Sequence, residues 1–345
     1  MFMRLTGKQT WVFQNDLYVQ STGTSVGPME AQGPLGSYFD ETHQDLHCSQ
    51  ENWELAERHL MSRSIDFCLE KANTNVNEID VLLAGDLLNQ NVTSNYVARK
   101  QQIPFLCMFG ACSTSMETLA VGSALVDGGF ANTMLAATSS HNATAERQFR
   151  NPTEYGGQKP DTSTFTVTGA GAIMVSKQKS PIKITSATIG KVMDYGVKNP
   201  NDMGSAMAPA AADTIRQHLK DLNRKPDDYD LIVTGDLSAV GSPIMRELLL
   251  EEDIDISTVH NDCGLMIYSP DQDVFAGGSG CGCSAVVTYA YLLKQMREKK
   301  YKRIFVVATG ALLNPIMIQQ KETIPTIAHG VVFESVQEGD DSWNM

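Results

Sequence analysis

The chain has 345 residues, enough for a large core in two domains or in one domain built of two fused halves. Hydrophobic residues at 42% and charged residues at 19% exclude a disordered chain. A formal net charge of −13 argues against nucleic acid or an anionic membrane surface as a direct electrostatic partner. Part of that charge sits in the run Glu338-Gly339-Asp340-Asp341. Seven cysteines, with no C-x-x-C pair, fit a reducing, cytoplasmic-type compartment. The first residues hold no apolar run of signal-peptide length, and nowhere do about 18 uninterrupted apolar residues occur to span a bilayer.

Residues 1–48 are rich in Gly, Pro, Thr and Ser and read as a segment wrapping the surface, pinned by Trp11, Phe13 and Tyr18. A helix is predicted over 49–72, with Trp53, Ala56, Leu60, Cys68 and Leu69 near one face and Ser49 as N-cap. A buried strand over 79–85 ends at Asp86, and a short helix follows over 94–100. Ile103 to Met108 is a second strand, turning at Gly110 into a segment of small and apolar residues over 115–126. A helix apolar nearly all round belongs in the middle of a protein. Cys112 falls at its first turn, where free N–H groups and the dipole favour a thiolate or a bound anion. The plainer alternative is a small buried hydrophobe.

The next strand, over 133–138, runs into a polar loop from Ser139 to Arg150, and a long irregular excursion extends from Asn151 to Thr162. Residues 166–176 and 182–189 read as two adjacent strands. In the second half a helix over 206–222 precedes a strand over 229–236 and a helix over 242–251, Pro243 lying in its first turn. Gly277 to Cys283 opens another small-residue helix reaching about Glu298, and strands over 303–309 and 327–334 end the body.

The halves echo each other. Ile79-Asp80-Val81-Leu82-Leu83-Ala84-Gly85-Asp86-Leu87 matches Tyr229-Asp230-Leu231-Ile232-Val233-Thr234-Gly235-Asp236-Leu237. Ala111-Cys112-Ser113 falls opposite Gly282-Cys283-Ser284, and Leu135 to Ser139 opposite Val306 to Gly310. Three matches in one order imply an α/β fold of two pseudo-two-fold halves, in five αβαβα layers with the two small-residue helices central. The division is a segment 1–48, a first half 49–190 and a second half 191–345. In such folds ligands meet the chain at strand C-terminal ends and the helix starts facing them. That rule gathers Asp86, Cys112, Ser139, His141, Asp236, Ser279 and His329 around one pocket.

This layout resembles the thiolase superfamily over about residues 50–335, with Cys112 opening the central helix and Thr168-Gly169-Ala170-Gly171-Ala172-Ile173-Met174-Val175 similar to its Gly-rich strand. Within it, Ala84 to Thr93, Gly110 to Glu117, Thr138 to Arg150, Asn261 to Gly264 and Ala328 to Glu334 resemble a sporulation family of endospore-forming bacteria. That resemblance implies binding of dipicolinic acid for its uptake into the developing spore, with release in germination a further role. It implies work beside membrane proteins of the same operon, a peripheral place at the spore inner membrane, and a homodimer as one assembly. No cofactor is implied; Ca²⁺ would enter only as the dipicolinate chelate.

Condensation in the superfamily needs histidine or asparagine side chains beside the cysteine. Where the synthases carry them this chain has Thr234-Gly235-Asp236-Leu237-Ser238 and Gly277-Gly278-Ser279-Gly280. An aspartate there would raise the thiol's pKa and repel an oxyanion. The chain is therefore read as a binding protein, the alternative being an acyltransferase with Cys112 as nucleophile. For a flat dianion the candidate ligands are Asp86, Cys112, Ser139, His141, Arg147, Ser279 and His329, with Arg150 as a further cation and Met116 and Phe149 lining a slot.

Each has a plainer role. Asp86 could cap the helix after it, His141 and Arg147 could lie on a solvated loop, and His329 could be a hydrogen-bonded core residue. No metal site is assigned: C-x-C at Cys281 and Cys283, and His260 with Cys263, are too sparse.

Overall fold

A computed structural model of the chain describes residues 4–149 and 158–336; Arg150, most of the Asn151 to Thr162 excursion and the acidic run from Glu338 lie outside the described residues. The body opens with a 17-residue strand, β1 (Thr10–Val26), and helix α1 (Trp53–Ala72). It continues through β2 (Val81–Asp86), α2 (Val92–Gln101), β3 (Phe105–Cys107), α3 (Thr114–Gly128) and β4 (Thr133–Ser140). α4 (Asn142–Phe149) and β5 (Gly169–Ser176) complete the first half. β6 (Ile182–Thr188), which its place in the strand order puts at the start of the second half and not at the end of the first, leads to α5 (Met203–Leu222), β7 (Leu231–Thr234) and α6 (Ser238–Leu250). β8 (His260–Asp262), α7 (Cys281–Val286), β9 (Arg303–Ala311) and β10 (Thr326–Ser335) follow.

The strands form one path in the order β8-β7-β9-β10-β6-β1-β5-β4-β2-β3. Read outward from the middle, β1-β5-β4-β2-β3 is mirrored by β6-β10-β9-β7-β8, with the same antiparallel steps inside and parallel steps outside. The duplication read from the sequence is therefore a duplication of topology. Helices α1 and α2 cover one outer face, α5 and α6 the other, and α3 lies against strands of both halves beside α7. Adjacent side chains on a strand serve different layers, as a period of two requires. Leu82, Ile232, Phe305 and Val307 pack under the outer helices, while Leu83, Val233, Ile304 and Val306 face the central pair.

The caps repeat as well. Asn52 and Asp202 accept backbone N–H bonds at the starts of α1 and α5, and Asn73 and Asn223 end them in the left-handed region at φ 51°. Asparagine tolerates that conformation better than most residues. Asn52, not Ser49, is thus the cap of α1.

Three expectations change. The segment read as a surface wrap supplies β1, whose first part pairs with β6 and whose second part pairs with β5, joining the halves. Its Ser, Thr and Gly content looked loop-like, but those small residues let α1 and the helix after α7 come close. Ser21 Oγ donates to the Cys68 carbonyl at 2.7 Å and Thr22 Oγ1 to that of Tyr289 at 3.0 Å. A Cβ on Gly23 would stand 2.0 Å from the Ser64 carbonyl oxygen. For the same reason β5 and β6 are not neighbours, since β1 lies between them. Finally, the polar loop from Ser139 holds helix α4, because the ring Nδ1 of His141 accepts the Ala143 N–H (3.2 Å) and its carbonyl accepts that of Ala145 (3.0 Å).

Candidate functional site

The β3–α3 turn is held by its own hydroxyls. Ser113 Oγ donates to the Gly110 carbonyl and Thr114 Oγ1 to that of Ala111, each at 2.6 Å, while Ala111 sits at φ 51°. Cys112 stands two residues before the first residue of α3, not within its first turn. From the second half Gly310 closes on this turn: a Cβ there would lie 2.2 Å from the Gly110 carbonyl oxygen. The two halves thus meet backbone to backbone beside the thiol.

A small cavity of about 40 Å³ opens here. Its lining is mostly apolar, from Leu87, Phe109, Ala111, Ala145, Phe149, Pro200, Met203, Ala311 and Leu313, with Cys112, Glu146, Thr166 and Ser279 as the polar members. Of the residues anticipated for a ligand, the cavity collects Cys112, Ser279 and Phe149. None of the described residues lining it carries a positive charge; Glu146 pairs with Lys159 at 2.8 Å.

Behind the thiol lies Asp236. It accepts hydrogen bonds from Thr309 Oγ1 and from the Gly280 N–H (3.2 Å). Burial pushes its carboxyl up to about 7. Burial, then the Asp236 charge, pushes the Cys112 thiol well above its ordinary value. The pull of the helix start toward a thiolate is outweighed, as the aspartate at this position implied.

The remaining anticipated residues take other partners. Asp86 accepts from Leu88 N–H (3.0 Å) and from both the N–H and hydroxyl of Ser94 (2.8 and 2.7 Å), which ties down the first turn of α2, its capping role. Ser139 donates to Glu57 Oε1 at 3.0 Å. His141 is fully buried with Nε2 on the Leu46 carbonyl at 2.7 Å, and burial pulls its ring down to about 4. His329 accepts the Gly190 N–H at 3.2 Å from within β10, and burial likewise takes it to about 4. Arg147 pairs with Glu54 and lies over Trp53 on the half-exposed face of α4. Met116 is core, and His260 bonds Thr234 Oγ1 at 3.0 Å.

A buried carboxylate touching these residues and their neighbours was missed. Glu57 sits among apolar residues of α1, accepts from Ser139 and Thr144, and is pushed up to about 8 by burial and by Asp86. Its signal was a lone acid on the apolar face of a helix, beside Ala56 and Leu60. Pro200, Met203 and Leu313 reach the cavity from loops and a helix start whose sequence carries no motif.

A family model described as stage V sporulation protein AD matches residues 7–334. The protein of that name from Bacillus subtilis (strain 168) is 69% identical over 332 residues, which is 96% of this chain and 98% of its own length. Among solved structures, 3-oxoacyl-(acyl-carrier-protein) synthase III from Aquifex aeolicus VF5 superposes with a TM-score of 0.57 at 14% identity, covering 92% of this chain and 99% of that one. Cerulenin-bound OleA from Xanthomonas campestris gives 0.58 at 11% identity, covering 93% and 99%. At these identities the solved structures show a shared thiolase-like fold and nothing of activity. No helix of the described residues is long and apolar enough to cross a membrane. By sequence along nearly its whole length and by fold, the chain belongs to the stage V sporulation protein AD family.

Proposed function

We propose that the cavity beside Cys112 binds dipicolinic acid without chemical change, serving its uptake into the developing spore and its release in germination. The observation that carries the non-catalytic part is the setting of the thiol: burial and the charge of the buried Asp236 both disfavour the thiolate that acyl transfer needs. The lining supports a flat, largely apolar ligand with a few polar contacts. With Glu146 and no positive charge among the described lining residues, the neutral calcium chelate fits better than the free dianion. The protein would act beside membrane proteins of the same operon, held peripherally at the spore inner membrane. A homodimer is part of the same proposal, supported by the exposed Leu106 and Phe109 on and after the edge strand β3.

Two measurements separate this reading from an acyltransferase. Intact mass after incubation with acyl-CoA is expected to stay unchanged; an acyl adduct abolished by Cys112→Ser would establish the catalytic alternative. Thermal unfolding with dipicolinate and calcium is expected to show a rise in Tm that Ala311→Trp, which fills the cavity, removes. A Tm indifferent to the ligand would defeat the binding proposal.

A further inference from the structure

A second constellation lies away from the Cys112 cavity, where the segment after β1 folds back on α1. Glu41 and His43 flank the last residue of a short strand, Glu41–Thr42, that pairs in parallel with the end of β1. His59 projects from α1 toward them. Among Glu41, His43 and His59, one ligand atom from each lies within 4.8 Å of the others, and all three are partly buried. We propose that these residues form a binding site for a divalent first-row transition ion, with zinc as the representative.

The donor chemistry is right for it. Two imidazoles and one carboxylate are a common zinc set, and a tetrahedral ion with bonds of about 2.0–2.1 Å holds its ligand atoms about 3.3–3.5 Å apart. Glu41 Oε2 and His43 Nε2 already stand 3.3 Å apart. The rings of His43 and His59 meet at 68°, edge to face, so they do not stack. His59 has no hydrogen-bond partner among the described residues that would compete for its ring nitrogens.

A supporting shell is present as well. Arg63 Nε donates to the other oxygen of Glu41 at 3.0 Å, fixing the carboxylate. Ser25 Oγ lies 2.9 Å from Glu41 Oε2 and 3.3 Å from His43 Nε2, near enough to serve as an outer partner or a fourth donor. Fixing of ligating groups by such neighbours is general in metal sites. Arg63 pairs with Glu41, and Arg58, Arg99 and Lys100 line the same hollow as His59; the Glu41 carboxylate offsets one of these charges.

Bound there, an ion would pin the connection between β1 and α1 to the helix. Such a link is stabilising in the folded state only.

The experiment is equilibrium dialysis of the full-length protein against zinc, with cobalt(II) absorption as a spectroscopic reading. The expected result is one equivalent bound, cobalt d–d bands without a thiolate charge-transfer band, and an affinity weakened at least about 100-fold in His59→Ala and in Glu41→Gln. Cys107→Ser, which removes an exposed thiol, is expected to leave binding unchanged. Circular dichroism of each variant confirms that it is folded. Should folding fail in His59→Ala, the cobalt spectrum of the unmodified protein decides by itself. Binding lost in Cys107→Ser, a thiolate band, or wild-type retention no greater than that of the folded variants would each overturn the site. None of these outcomes bears on dipicolinate, so the two readings fail separately.

Discussion

At Cys112 burial and the charge of the neighbouring Asp236 carboxylate both work against a thiolate, and together they set the chemistry of the cavity. Both groups are buried, so each holds its proton harder than it would in water. Replacing Asp236 by asparagine keeps an acceptor but removes the charge. The thiol's pKa should then fall, and alkylation of Cys112 by iodoacetamide at pH 8, followed by peptide mapping, should quicken by about tenfold for each unit recovered. An unchanged rate would show that burial alone protects the sulfur. The sequence displayed both residues and their equivalence between halves, which is why their meeting could be foreseen. The places of His141, Arg147 and His329 could not. Strand-end position brings a residue near a pocket, but the partner that claims its side chain depends on loops such as that of Leu46, which carry no pattern.

Among the elements, β1 does the joining and pays in close packing for it. Gly23→Ala forces a methyl group against the backbone of α1 and should cost about 1–3 kcal/mol in urea unfolding. Wild-type stability in that variant would mean the strand and helix can separate. The duplicated caps offer a second test. Asn73→Ala and Asn223→Ala each place a Cβ-bearing residue with no polar side chain in the left-handed region, at a cost of about 1 kcal/mol, and the glycine variants should be neutral or better. Unequal costs at the two sites would count against their equivalence. The helices and parallel strands were legible because their apolar runs are long and repeat between halves. β1 escaped because a strand buried against helices on both faces can be made of Ser, Thr and Gly when backbones must approach. Helix α4 escaped because its cap is a histidine ring rather than Ser, Thr, Asp or Asn.

Across the whole molecule, buried acids and buried histidines set opposite pH dependences. Burial raises Glu30, Glu117 and Asp236 to about 7 and Glu57 to about 8. The unfolded chain ionises these groups near 4, so their contribution is fully present in acid and is lost as pH rises through about 7 to 8. His141, His260 and His329, taken to about 4 by burial, contribute above 6.5 and lose it as pH falls through 4. Between pH 6.5 and 8.5 the histidines are silent, and the acids act together with the buried thiols, which the unfolded chain begins to ionise at about pH 8.5 and which shift stability in the same direction. The Tm should therefore be lower at pH 8.5 than at 6.5. A higher Tm at 8.5 would mean these carboxylates are already ionised in the folded state.

At the same scale the central claim is that two fused halves enclose a cavity that has kept its thiol and binds a ligand in place of activating it. Isothermal titration of the full-length protein with dipicolinate, with and without equimolar calcium, tests this most directly. The account predicts a saturable heat at one site per chain, stronger with calcium and abolished by Ala311→Trp. No heat at millimolar ligand in either arm, or heat that survives the filled cavity, would contradict it.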